Sequence, residues 1–149
     1  MKVYGKKGLG SILKGLLEVV FVLTIVMMII MPFAYTKIIF FYPNAICLLV
    51  IIYAFIGLFD SLKKEVPFCE KTVKKINIAS IASLICSIFW LLQAIYEIVL
   101  AKSYLYDISA GIFLIFMFVL FFGVAVALYI LKELFSKATN YKEENDLTI

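Results

Sequence analysis

Four long apolar runs leave this chain few ways to fold. Residues 38–59, 76–96 and 108–131 carry no charge, and between Lys14 and Lys37 the only charged residue is Glu18. Each run is 21 to 24 residues long, and a helix needs about 20 to cross the hydrocarbon core of a bilayer. The fourth run holds 16 Ile, Leu, Val or Phe residues, each favouring insertion by roughly 0.3–0.6 kcal/mol. No period-2 alternation interrupts the runs, so they predict helices rather than barrel strands. Hydrophobic residues make up 65% of the chain, against about 45–50% in a soluble domain. One core in 149 residues could not bury that excess, so it must face lipid.

The fold class that follows is an all-α membrane protein, a bundle of four transmembrane helices at about 12–34, 42–61, 76–97 and 108–132. Residues 1–135 form the membrane domain, residues 60–76 a central loop, and 136–149 a polar tail expected to fray. Pro32 and Pro43 are expected to bracket a tight turn at 35–42. The lysines before the first run suit a signal peptide. That run is too long for one and lacks an Ala-x-Ala site, so it is expected to be retained.

Lysine placement sets the expected topology. Lys2, Lys6, Lys7 and Lys14 precede the first run, Lys63, Lys64, Lys71, Lys74 and Lys75 fill the central loop, and Lys132, Lys137 and Lys142 follow the fourth. These twelve oppose only Lys37 and Lys102. The positive-inside rule then predicts both termini and the central loop in the cytoplasm. Tyr35, Tyr42, Tyr96, Tyr104 and Tyr106 collect at the other interface, where amphipathic rings are stable.

Composition also excludes chemistry. All 14 basic residues are lysine and histidine is absent, which removes guanidinium forks for anions and the usual proton shuttle or metal ligand. Cys47, Cys69 and Cys86 make no Cys-x-x-Cys pair, so neither a zinc site nor a disulfide framework is expected. A Ser or Cys nucleophile would have no imidazole base, and a Ser–Lys dyad would need a lysine from the span edges. The chain reads as a non-enzyme without cofactors. The lysines alternate with Asp60, Glu65 and Glu70 and make a poor phosphate track, so direct nucleic-acid binding is not expected.

Two groups of residues stand out. Ser80, Ser83, Ser87 and Ala94 share one stripe of the third helix. With Gln93 and Glu97 they suggest a polar path, or more simply close helix packing. Cys47, Val50, Ala54, Gly57 and Ser61 form a similar stripe on the second helix, and Gly123 with Ala127 a small-residue pair on the fourth. Glu18 is explained by a pair with Lys14 one turn away. The second group is Pro67, Phe68, Glu70, Lys71, Val73, Lys74 and Lys75 in the central loop. As a helix from Cys69 this segment puts Cys69, Thr72, Val73 and Ile76 on one face and Glu70, Lys71, Lys74 and Lys75 on the other. Its lysines can reach anionic headgroups, or the surface can dock a cytosolic protein.

With Pro67-Phe68-Cys69-Glu70-Lys71-Thr72-Val73-Lys74-Lys75 in view, the chain resembles the bacterial membrane family catalogued as domain of unknown function 2975. Members tend to read Pro-Phe-x-Glu-x-Asn-Val followed by basic residues. Here Thr72 replaces the Asn, and the external loop after the first helix is shorter than usual. The resemblance implies a bacterial cytoplasmic-membrane protein without an assigned activity. Relatives are often encoded beside a small helix-turn-helix regulator, which makes such a regulator a candidate partner. Two functions fit: sensing or signalling through the cytoplasmic loop, or a small homo-oligomeric transporter, channel or immunity-type protein.

Overall fold

A computed structural model describes residues 9–34, 38–63, 69–100 and 108–146. These residues form four helices: α1 Leu9–Ala34, α2 Ile38–Lys63, α3 Glu70–Ile95 and α4 Ile108–Asp146. A π turn, Tyr96–Leu100, continues α3. All four helices contain a stretch long and apolar enough to span a membrane: Gly10–Ile30, Phe40–Ser61, Glu70–Ile98 and Gly111–Tyr141. No strand occurs among the described residues.

The helices stand in sequence order, each packed chiefly on its neighbours in the chain. The closest contact is between α3 and α4, then α2 with α3, and the loosest is α1 with α2. A core cluster joins Ala54 and Leu58 of α2, Ile76 and Ala79 of α3, and Leu128 of α4, with Phe55, Val124 and Phe135 around it. The small residues of α3 explain its central place. Ala79 and Ser83 are completely buried, and Cys86 and Ser87 nearly so. Lipid tails are as apolar as leucine, so close backbone approach and interhelical hydrogen bonds, rather than hydrophobicity, decide which helices meet.

Several boundaries differ from the sequence expectation. α2 begins at Ile38, so residues 38–42 of the expected 35–42 turn are helical. Pro43 lies within α2, near its start, where its ring removes one early helical hydrogen bond. α2 runs to Lys63 and α3 starts at Glu70, so most of the expected 60–76 loop is helical. α4 continues to Asp146, so residues 136–146 of the expected tail are helical. Thr139 is buried, its hydroxyl donates to Phe135 O at 2.9 Å, and Phe135 packs on the core cluster. At 1.5 Å per residue the 39 residues of α4 extend about 58 Å, nearly twice the hydrocarbon thickness.

The Gly123/Ala127 pair also departs from expectation. Both residues are exposed, and a Cβ on Gly123 would meet nothing within 4 Å. The packed face of α4 carries Leu114, Ala125 and Leu128 instead.

Candidate functional site at the lysine-rich end

The antiparallel order brings the start of α1, the end of α2, the start of α3 and the extension of α4 to one end. Polar contacts concentrate there. Lys14 Nζ lies 2.6 Å from Asp60 Oδ1 and 3.6 Å from Glu18 Oε1. The expected Lys14–Glu18 pair forms, and Asp60 of α2 adds a stronger second partner. Lys14 is thereby the charged tether between α1 and α2.

Lys75 makes the second interhelical tie. Its ammonium donates to Gly57 O at 2.6 Å and to Ser61 Oγ at 3.2 Å, while Ser61 donates to Gly57 O at 3.0 Å. A Cβ on Gly57 would come within 2.9 Å of Lys75 Cε and Nζ. The missing side chain of Gly57 is therefore the space the lysine occupies. This is also where a Ser and a Lys come together. Both side chains converge on the Gly57 carbonyl, the ammonium at 2.6 Å and the hydroxyl at 3.0 Å, so the pair ties α3 to the backbone of α2.

Beside this tie a groove of about 310 Å³ opens between the first turns of α3 and the extension of α4. Glu70, Val73, Lys74, Ser136, Thr139 and Asn140 line it. Lys74 Nζ and Glu70 Oε2 are 3.2 Å apart on its exposed rim. Lys132 follows the uncharged run of α4: its ammonium stands 5.1 Å from the Tyr129 ring centre and 3.5 Å from Glu133 Oε1. A lysine over an interfacial tyrosine is a cation–π pair with its stem along the apolar helix.

At the start of α3, Cys69 stands in the N-cap position with extended backbone. Its carbonyl accepts from the Thr72 and Val73 amides at 2.9 and 3.2 Å, and its Sγ lies 3.2 Å from the Thr72 hydroxyl. The Thr72 hydroxyl, followed by the amides of the first turn and the charge of Lys71, lowers the thiol pKa below its ordinary value.

Deeper in the span, the hydroxyl stripe of α3 divides its partners. Ser80 donates to Ala125 O of α4 at 3.0 Å, and Ser87 to Leu84 O of its own helix at 2.7 Å. Cys86 Sγ lies 3.6 Å from Asn44 Oδ1 of α2. Ser83 Oγ is buried with no hydrogen-bond partner among the described residues. The Trp90 indole interacts with the Cys86 thiol, and its ring packs edge-on to Phe113. Gln93 and Glu97 lie half-buried towards the opposite end, Glu97 in the π turn.

The structure thus gathers Glu70, Val73 and Lys74 at the groove, sends Lys75 to α2, and leaves Lys71 exposed. Pro67 and Phe68 lie outside the described residues. From the α2 stripe, Cys47 and Ala54 are buried and Gly57 and Ser61 meet Lys75, whereas Val50 is exposed. Sequence reading missed Ser136, Thr139 and Asn140 as groove residues, because it ended the fourth helix at 132. Their spacing of three and one is that of one helical face, and this was the available signal.

A family model described as "Protein of unknown function (DUF2975)" matches residues 19–149, most of the chain. The chain belongs to the DUF2975 family. No curated protein and no solved structure matches it. The match takes in the Lys75 tie, the groove and the hydroxyl stripe of this DUF2975 protein, and begins just after Glu18. With four apolar helices of spanning length, this DUF2975 member is a multi-pass integral membrane protein.

Proposed function

We propose that this protein is a non-enzymatic sensor or signalling component of the bacterial cytoplasmic membrane, with its lysine-rich end in the cytoplasm. In this reading the end of the molecule formed by α3 and the α4 extension docks a small cytosolic helix-turn-helix regulator. The length of α4 carries the proposal. Its final 14 residues beyond Lys132 extend about 21 Å past the membrane edge, and they are helical to Asp146. Together with the first turns of α3 they offer a soluble partner a firm two-helix surface. Tyr141, 67% exposed, stands on the outer face of the α4 extension as an aromatic anchor. The twelve-to-two lysine asymmetry supports the orientation, and the lack of histidine in the sequence, which leaves Ser and Cys without an imidazole base, supports a non-enzymatic role.

The test is crosslinking in native membranes, purification of the intact chain and mass spectrometry of what accompanies it. Pro67→Ala/Phe68→Ala and Tyr141→Ala variants serve as comparisons. A small DNA-binding protein captured by the natural chain and lost with the variants is the expected result. Self-crosslinks alone, equal in all samples, would sink the reading and favour the second one.

That second reading is a homo-oligomeric transporter, channel or immunity-type protein. Gly123 and Ala127, facing outward on α4, favour it, because they would let a second copy approach closely. A single species in lipid and unchanged solute or toxin tolerance on deletion would count against it.

A further inference from the structure

The groove between α3 and α4 has a charge pattern and a depth that together specify a ligand. We infer that it seats the phosphoethanolamine headgroup of a membrane phospholipid. Phosphate lies on the Lys74 side and the primary ammonium on the Glu70 side. The groove lies on the same two-helix surface that the proposed regulator would use, and the lipid assignment is tested on the chain alone, without a regulator.

Depth comes first. The uncharged stretches of α3 and α4 end at Ile76 and Leu131. Counting 1.5 Å per residue from those points, Lys74 lies about 3 Å outside the hydrocarbon, Ser136 about 7.5 Å and Glu70 about 9 Å. The polar layer on each side of a bilayer is about 5–7 Å thick. Thr139 and Asn140 stand farther out, about 12 and 13.5 Å, so only the inner end of the groove, at Lys74, opens within that layer, beside Lys132 and Tyr129. A lipid can reach this inner end sideways from the bilayer, its headgroup extending outward along the groove.

Chemistry comes second. The rim holds one cation and one carboxylate, Lys74 and Glu70, 3.2 Å apart, with side chains 73% and 74% exposed. An exposed pair one turn apart contributes little to stability, so both heads can re-pair with a ligand without loss to the fold. A purely anionic headgroup would meet Lys74 but be repelled by Glu70. A zwitterion satisfies both. The ammonium of ethanolamine offers three N–H donors to a carboxylate, and the trimethylammonium of choline offers none. Ser136 and Asn140 add a hydroxyl and a carboxamide on the α4 wall, and Val73 an apolar floor. The volume of about 310 Å³ is at the lower end of small-ligand sites, in keeping with a headgroup whose acyl chains remain in the bilayer.

Native mass spectrometry of the full chain, released from detergent and titrated with defined lipids, tests the assignment. Phosphatidylethanolamine should be retained at least tenfold better than phosphatidylcholine and phosphatidylglycerol. Glu70→Gln should abolish the preference over phosphatidylglycerol, and Lys74→Gln should weaken retention of all three. Both residues are exposed, and unchanged helicity by circular dichroism confirms that each variant folds. Equal retention of the three lipids by the natural chain would overturn the proposal, as would unchanged selectivity in both variants. Soluble glycerophosphoethanolamine binding as tightly as the lipid would assign the groove to a cytosolic metabolite and overturn the membrane source.

Discussion

Helices α1 and α3 are both long enough to cross a bilayer, yet they are embedded in the molecule very differently. None of the α1 span Gly10–Ile30 is buried within the chain, against 39% of the α3 span Glu70–Ile98. The more apolar helix is the less packed one. α1 offers Val20, Leu23, Met27 and Ile30 to its surroundings, all exposed, and side chains of that bulk keep neighbouring backbones apart. α3 brings Ala79, Ala82, Ser83, Cys86 and Ser87 to its contacts, and small side chains let α2 and α4 close on it from two sides. In lipid, hydrophobicity decides that a helix inserts, and side-chain size and hydrogen bonding decide what it touches.

The strongest way to break this contrast is to give α3 the bulk of α1. Ala79→Phe places a ring where no space exists and is expected to destabilise the bundle by about 1–3 kcal/mol. Val22→Phe on the exposed face of α1 should change stability by less than about 0.5 kcal/mol. Reversible unfolding in mixed detergent measures both, and equal effects would remove the distinction between the helices.

A second prediction sharpens it at the glycines. Gly57→Ala must displace the Lys75 ammonium from two hydrogen bonds and should cost about 1–2 kcal/mol. Gly123→Ala, where a Cβ meets nothing, should be neutral or slightly stabilising, since alanine favours a helix by about 1 kcal/mol over glycine. Lys75→Met with Gly57→Ala should destabilise less than the sum of the single changes, because both remove the same contact.

A third concerns the start of α3. Lowering a thiol pKa increases its thiolate fraction at neutral pH, so Cys69 should alkylate faster than an ordinary thiol. Its rate should rise with pH to a midpoint below the ordinary value of about 8.5. Thr72→Val removes the first cause of the shift and should move that midpoint upward. Cys47 and Cys86, buried between helices, should label only after unfolding.

The smallest effect is expected at the α1 tether. Lys14→Ala should leave the unfolding midpoint of the α2–α4 core unchanged and increase α1 motion, read by a spin label at Val22. Lys14→Asp with Asp60→Lys should restore the natural mobility.

Much of this was legible in the sequence. Run length and missing charge marked the four spans, and the spacing of Ser80, Ser83 and Ser87 marked the buried stripe of α3. The stripe of Cys47, Val50, Ala54, Gly57 and Ser61 on α2 was visible in the same way, except that Val50 is exposed. Helix ends were less legible, because charge was taken as the boundary. Lys71, Lys74 and Lys75 are charged and helical, and α4 remains helical through Thr139 because that residue finds a place against its own turn and against α3. The Lys75 tie joins residues 18 positions apart, and no local pattern pairs a lysine with a glycine carbonyl on another helix. Gly123 and Ala127 misled for the opposite reason, since small residues indicate where a helix can be approached but not that anything approaches.

The sequential stacking of the helices has a consequence for how the molecule is made. Because each helix rests mainly on the one synthesised before it, α2 can settle on α1, and α3 on α2, while the rest of the chain is still emerging. Contacts between sequence neighbours also close only short loops, which favours rapid folding. α4, which follows α3 in the chain, supplies Ala125 and Leu128 to the buried face of α3, and until it arrives the Ser80 hydroxyl lacks its acceptor. Between the emergence of α3 and that of α4 the nascent chain therefore carries one polar, closely packing face uncovered. That interval is when a membrane insertase or chaperone has the most to protect.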